Sequence, residues 1–462
     1  MRAADCTVFF LPGLGLNADA ATPVERELDD RFRVITIELP GQGGAPDAPD
    51  GSTEAQVDAA LAAIAEHADG GAWMLCAHSM GGKVAARLAA RVRDGDVPVF
   101  GLAGLLLLAP SPPTPEPMPD EKRQQMLSWV DDGSPIAESD ARTFVDDNVG
   151  ASLDPAVQAD VLEAVQTMSP VAWRRWLEQG STEDLSASVG VLDLPCTVLA
   201  GDQDDALGAA AQPALVADVY PRAHVVPLVG AGHLLSYERP VEVAHAITAL
   251  WDQIVAHRAP VAPEWGRLIA SPRVTPRVRA TLARRALSDD PAYRPRVLNS
   301  AQLELLRAIA DRLVPQPSGG RIDLAARVDA DLAAGGGDGW RPAGAPSDAE
   351  AYRAGLDDLR GAWPSTPDEQ DAVIRAVAEG EGVPGASQEP EALQSWFEDL
   401  RVDVVREWLS HPASLVRVGY DGFATGAEDA AFAGYLSLKA GERDEWEPAE
   451  LGTVAGAPEE DV

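Results

Sequence analysis

The chain has 462 residues, 46% of them hydrophobic, which suffices for a sizeable core and exceeds one ordinary domain. With 37 basic against 73 acidic residues the formal net charge is −36, so nucleic acid and anionic membrane surfaces are poor partners. Cys6, Cys76 and Cys196 lie in apolar runs with no CxxC pair. That spacing argues against a disulfide frame or a zinc site and for buried thiols in a reducing cytosol. Lysine is confined to Lys83, Lys122 and Lys439, against 34 arginines. The start, "MRAADCTVFFLPGLG", lacks a signal-peptide pattern, and no run of 18 or more uncharged apolar residues suggests a membrane span. A cytoplasmic protein is expected.

From residue 1 to about 255 short apolar runs alternate with helical patterns. The runs are 6–11 "CTVFFL", 33–39 "RVITIEL", 73–77 "WMLCA", 104–109 "GLLLLA", 196–200 "CTVLA" and 223–228 "AHVVPL". Continuous apolarity fits strands buried on both faces, and the alternation predicts a mainly parallel sheet covered by helices. After "WMLCA" comes "AHSMGG" and then the helical "GGKVAARLAARV". A serine between small residues at a strand-to-helix turn is the pattern of a nucleophile elbow, here with Ala77 in place of the first glycine. The same stretch is not a P-loop, because Val84 stands where Ser or Thr is required.

Residues 111–190 interrupt the alternation with a proline-rich exit and then helical patterns that hold Trp129, Trp173 and Trp176. The insertion is expected to form a helical lid, with each tryptophan a packing anchor. "GDQDD" follows the strand at 196–200 and "GAGHLL" the strand at 223–228. These put Asp204 (or Asp202 or Asp205) and His233 at strand ends, and Ser79, Asp204, His233 is the chain order of a strand-end catalytic triad.

With "FFLPGLG", "ELPGQGG", "AHSMGG", "LAGDQDD" and "GAGHLLSYERP" in place, residues 1–257 resemble the α/β-hydrolase fold family. The resemblance implies Ser79 as nucleophile, Asp204 as acid, His233 as base, and an oxyanion hole from the backbone N–H groups of Leu14 and Met80. It implies acyl transfer without metal or cofactor. Pro12 replaces the family's usual histidine, and Gln42 and Gly44 replace the His and Ser of its second loop. The family's first two strands are not seen, so the chain opens at what would be the third. His78, common beside the nucleophile there, is not expected to be a base.

Residues 258–296 carry nine arginines against Glu264, Asp289 and Asp290, and read as a basic linker that could dock on an acidic neighbour. From 297 the pattern is helical, with a cap at Asn299 or Ser300 and further helices at 348–363, 367–379 and 391–410. "LRAIADRLVP", "WFEDLRVDVVREWLSHP" and "VGYDGFATGAEDAAFAGYLSLKAGERDEWEP" make 297–450 resemble gluconate 2-dehydrogenase subunit 3. That family is all-helical and accompanies a flavin-dependent dehydrogenase of the glucose–methanol–choline type. Residues 451–462 form an acidic tail.

The expected architecture is therefore an α/β-hydrolase domain with a helical lid followed by a separate all-α domain. The leading function is hydrolysis of a carboxylic ester or lactone, coupled to a flavin-dependent sugar or polyol dehydrogenase. A hydrolase of C–C bonds in vinylogous diketones and a non-catalytic scaffold for a flavoprotein are the alternatives.

Overall fold

A computed structural model describes residues 4–48, 50, 52–335, 346–423, 435, 437, 439, 442, 444 and 446–448. The expected acidic tail, residues 336–345 and much of the last stretch that carries the second resemblance lie outside them. The described residues fall into two compact units. The first holds residues up to 255, 261–288 and those from 421 onward; the second holds 256–260 and 289–420.

In the first unit six strands form one parallel sheet in the order β2-β1-β3-β4-β5-β6. They are β1 Cys6–Leu11, β2 Phe32–Thr36, β3 Trp73–His78, β4 Leu102–Leu108, β5 Cys196–Gly201 and β6 Ala223–Leu228. β3 and β4 are buried almost throughout, as expected for central strands covered on both faces. Each fully buried leucine from Leu105 to Leu108 contributes about 1.5–3 kcal/mol. β6 is only partly buried and contains Pro227, whose missing N–H suits an edge.

β2 is shorter than the apolar run that announced it. After Ile37 donates to Phe10 O, the chain turns: Gln42 N–H bonds Leu39 O at 2.9 Å, and Leu39 N–H bonds the Gln42 side chain. The order of connections reverses between β1 and β3, which makes their carboxyl ends the place where an open parallel sheet binds ligands. Register brings those ends level, with Leu11 beside Ala77 and Ala77 beside Leu107.

The basic segment at 258–296 holds structure of its own. It folds into helices Pro263–Ala270 and Pro276–Arg285, and residues 261–288 belong to the first unit. The contact is made by backbone approach. A Cβ on Gly70 would come within 2.1 Å of Pro263 O, and one on Gly95 within 2.1 Å of Pro276 O. Arg279, buried, spends its guanidinium on the carbonyls of Ile269, Gly95, Ser271 and Val274 rather than on a carboxylate.

The second unit is all-helical among its described residues. The long helix Pro390–Ser410 touches Ser300–Leu313, Leu324–Ala333, Asp348–Ala362, Pro367–Ala378 and Pro412–Arg417. Leu306, Ile309, Leu356, Leu393, Leu400 and Val404 are its dry centre. Asn299 and Gln302 close a reciprocal capping box at the first helix, as the sequence suggests. No described helix is long and apolar enough to cross a membrane.

Candidate active site

The site starts from a strained residue. Ser79 has φ 51° and ψ −118°, a conformation a non-glycine residue keeps only when its surroundings over-determine it. Its N–H bonds Leu108 O at 2.9 Å, and its carbonyl accepts from Gly82 N at 2.7 Å and Ser111 N at 2.9 Å. The two glycines that follow are required by space. A Cβ on Gly81 would lie 2.5 Å from Leu11 O, and one on Gly82 2.5 Å from Pro110 Cβ. Helix Met80–Arg93 can therefore start directly against the ends of β1 and β4, with Ser79 held between strand and helix.

Asp204 sits in the turn after β5. Its Oδ1 accepts from Ala206 N and Leu207 N, both at 3.0 Å, which leaves Oδ2 for His233 Nδ1 at 2.6 Å. Burial works to raise its pKa, but the charge and hydrogen bond of His233, with the two amides, hold Asp204 well below the usual carboxylate range. Of the other two acids the sequence offered, Asp202 accepts from Gly230 N and Gln203 Nε2.

His233 follows β6. Its N–H bonds Asn148 O at 2.7 Å, and the preceding Gly232 N–H is held by the Glu238 carboxylate at 3.0 Å. Glu238 also accepts from Gly150 N at 2.8 Å, so one carboxylate clamps the histidine loop to the helical insertion at 111–190. His233 Nε2 lies 2.8 Å from Ser79 Oγ. Because Nδ1–H donates to Asp204, the bare lone pair of Nε2 faces the serine hydroxyl. The three sequence candidates thus form one hydrogen-bonded chain, Asp204–His233–Ser79.

His78 serves a different purpose. Its Nε2 is 2.7 Å from His233 O, an atom that only accepts, so Nε2 carries the proton. Burial lowers its pKa to about 3, which leaves the ring neutral. It supports the backbone of His233 and is not itself a proton acceptor from Ser79.

The turn Pro12–Leu14 after β1 lies against the serine: a Cβ on Gly13 would be 3.1 Å from Ser79 Cβ and from His78 Nδ1. No protein acceptor is seen for the amides of Leu14 or Met80 among the described hydrogen bonds. The neighbouring Gly15 N–H points to Met168 Sδ at 3.1 Å. Trp173, Val165 and Phe144 of the insertion crowd the same glycine at 3.2–3.4 Å from an added Cβ. Trp173 and Trp176 are buried packing residues, and Trp173 Nε1–H bonds Met126 O at 2.9 Å.

Sequence reasoning did not assign three supporting residues. Glu238 gave no signal. Gln42 showed only as a departure from the family loop, and Lys83 only as one of three lysines. Lys83, one turn beyond Ser79 and fully buried, donates to Gly180 O and Glu183 O, each at 2.9 Å, and so ties the helix after Ser79 to the helical insertion at 111–190. Burial pushes its pKa down to about 8. Among the described residues no group of three or more His, Cys, Asp or Glu side chains is arranged to hold a metal ion.

The model of the family described as Alpha/beta hydrolase family matches residues 8–246, and that of Gluconate 2-dehydrogenase subunit 3 matches residues 300–422. Among solved structures, a thermophilic esterase from Thermogutta terrifontis, malate bound, is 23% identical with a TM-score of 0.46. The match covers 55% of this chain and 91% of the esterase. An enol-lactonase from Burkholderia xenovorans LB400 is 19% identical with a TM-score of 0.46, covering 54% of this chain and 92% of that one. A bromoperoxidase from Bacillus anthracis is 16% identical with a TM-score of 0.48, covering 54% and 93%. No curated protein matches the chain.

Proposed function

The chain belongs to the alpha/beta hydrolase family, and from that premise we propose that Ser79 is the nucleophile of a serine hydrolase acting on a carboxylic ester or lactone through an acyl-enzyme. The observation that carries this reading is the chain Asp204 Oδ2–His233 Nδ1 at 2.6 Å and His233 Nε2–Ser79 Oγ at 2.8 Å.

Ser79 Oγ attacks the acyl carbon while its proton passes to His233 Nε2. Asp204 holds the imidazole in the tautomer that can accept that proton and stabilises the imidazolium that results. The carbonyl oxygen becomes an oxyanion facing the N–H groups of Leu14 and Met80, and loss of one such donor costs about 3 kcal/mol. Collapse breaks the bond to the leaving oxygen, which takes the proton from Nε2. Water then attacks the acyl-enzyme by the same route in reverse and restores Ser79 Oγ–H. With a lactone the expelled alkoxide stays attached to the acyl chain, and the product is one hydroxy acid.

The match of residues 300–422 to a dehydrogenase subunit supports a second step of the same proposal. A flavin-dependent sugar or polyol dehydrogenase bound there would yield a lactone, and a tethered hydrolase would meet that lactone at high effective concentration.

A fluorophosphonate probe and a hydrolysis panel of aldonolactones, aryl esters, amides and vinylogous diketones test the reading, with Ser79→Ala as control. Labelling and ester or lactone turnover in the wild type, both lost in Ser79→Ala, are expected. Absence of labelling would favour a non-catalytic scaffold. Turnover of diketones alone would move the chemistry to C–C bonds. Failure to co-purify a flavoprotein would remove the coupling and leave the hydrolase.

A further inference from the structure

We propose that Gln42 is a positioning residue for the oxyanion hole, fixing the Gly13–Leu14 peptide in the one orientation that offers the Leu14 N–H to the reacting oxygen. The proposal rests on the serine-hydrolase reading above.

Gln42 is fully buried, and both ends of its amide are used. Oε1 accepts from Leu39 N at 3.1 Å, and Nε2 donates to Gly13 O at 2.7 Å. Leu39 N–H can only donate and Gly13 O can only accept, so the orientation of the amide is dictated by its partners. Leu16 N–H adds a weaker bond to Gly13 O at 3.2 Å.

The Gly13–Leu14 peptide is trans and planar, so its C=O and N–H point in opposite directions. Whatever holds the Gly13 oxygen therefore aims the Leu14 hydrogen. Gly13 lies against Ser79, where an added Cβ would crowd the serine Cβ at 3.1 Å. A glycine beside a peptide unit also lowers the cost of rotating that unit. Rotation would bring the Gly13 carbonyl, an acceptor, to the position an oxyanion must occupy. The short bond from Gln42 opposes that rotation.

The residue is itself well anchored. Its own N–H bonds Leu39 O at 2.9 Å and its carbonyl accepts from Ala45 N at 2.8 Å. The turn after β2 thus presents one buried amide to the turn after β1, and among the described residues its two side-chain bonds are those to Leu39 N and Gly13 O.

The test compares wild type, Ser79→Ala, Gln42→Met and Gln42→Glu in the full chain. It uses p-nitrophenyl butyrate as substrate, an aryl trifluoromethyl ketone as oxyanion analogue and a fluorophosphonate as active-site label. Gln42→Met should lower kcat by about 10–100-fold with KM changed by less than about threefold, and weaken the ketone in the same proportion as kcat. Gln42→Glu keeps the acceptor for Leu39 N–H, but when ionised it cannot donate to Gly13 O. Its rate relative to wild type should therefore rise as pH falls and the carboxyl regains a proton.

Ketone binding and kcat within about threefold of wild type in Gln42→Met would overturn the proposal while a labelled wild type upheld the nucleophile. A Gln42→Glu to wild-type ratio that stays flat with pH would overturn it too, and applies even if Gln42→Met fails to fold. A wild type that takes no label would bring down the hydrolase reading and this inference together.

Discussion

Both units bury carboxylates, and they use them differently. In the helical unit Asp329 accepts from the amides of Arg296, Val297 and Leu298 and from Tyr293 Oη. Asp358 accepts from the amide and hydroxyl of Ser387 and from the amide and side chain of Gln388. Each binds loop backbone at a helix and is consumed by doing so. In the hydrolase unit Asp204 gives one oxygen to two amides and turns the other to His233, whose far nitrogen faces a hydroxyl. A buried acid surrounded only by backbone donors stabilises a loop. A buried acid half-held by backbone and half-directed at an imidazole is prepared for proton transfer.

The contrast is most sharply exposed by substitutions paired across the units. Ser79→Ala should reduce kcat on p-nitrophenyl butyrate by about 10⁴-fold or more without lowering Tm. Asp204→Asn should cost about 10⁴-fold in kcat, since the wrong tautomer of His233 results. Asp358→Asn should leave kcat unchanged and cost about 1–3 kcal/mol in the urea unfolding of the helical unit.

That stability loss has a pH signature. Burial works to raise Asp358, but Ser387 and Gln388 hold it below the usual carboxylate range. Its contribution is present above the unfolded value of about 3.9 and is lost as pH falls through the lower folded value. The gap between wild type and Asp358→Asn should therefore close on acidification.

Cations offer the next comparison. Arg327 of the helical unit, half-buried, pairs with Asp289 at 2.8 Å, whereas Lys83 donates to the carbonyls of Gly180 and Glu183 and lies over the Trp176 ring. The folded pKa of Lys83, about 8, lies below its ordinary 10.5, so the unfolded chain holds the proton more tightly. Its cost to stability is fully present below about 8 and is relieved as pH rises toward 10.5, a span of roughly 3 kcal/mol. Urea unfolding should show wild type gaining on Lys83→Met over that interval; parallel curves would contradict it.

The smallest paired effect concerns glycines without room. A Cβ at Gly81 would meet Leu11 O at 2.5 Å, and one at Gly355 would meet Trp396 at 2.2 Å. Each alanine should cost about 1–3 kcal/mol of stability by overpacking. Only Gly81→Ala should also lower kcat per folded molecule, because it displaces the elbow.

The strands at 6–11, 73–78 and 196–201 were legible because buried parallel strands are continuous apolar runs, and the partly buried edge strand at 223–228 still carries a short apolar run. The capping box at Asn299 and the helices at 348–362 and 390–410 were legible for a similar reason, since caps and periodicity are local. The segment at 258–296 is legible as a basic stretch able to dock on an acidic neighbour, but its means of attachment is not. Its arginines suggest charge docking, but the attachment depends on the absent side chains of Gly70 and Gly95 and on Arg279 reaching the distant Gly95 carbonyl. Nothing in the local pattern records that.

The sequence by itself determined the parallel sheet, the helical second half and the order Ser79, Asp204, His233, because each depends on local periodicity or on small residues beside a strand end. Only the tertiary structure decided that these three meet in a hydrogen-bonded chain, that His78 supports the His233 backbone, and that Gln42 reaches the Gly13 carbonyl. Those are distances between residues 29 to 155 positions apart. They are set by strand order and register, which no single segment encodes.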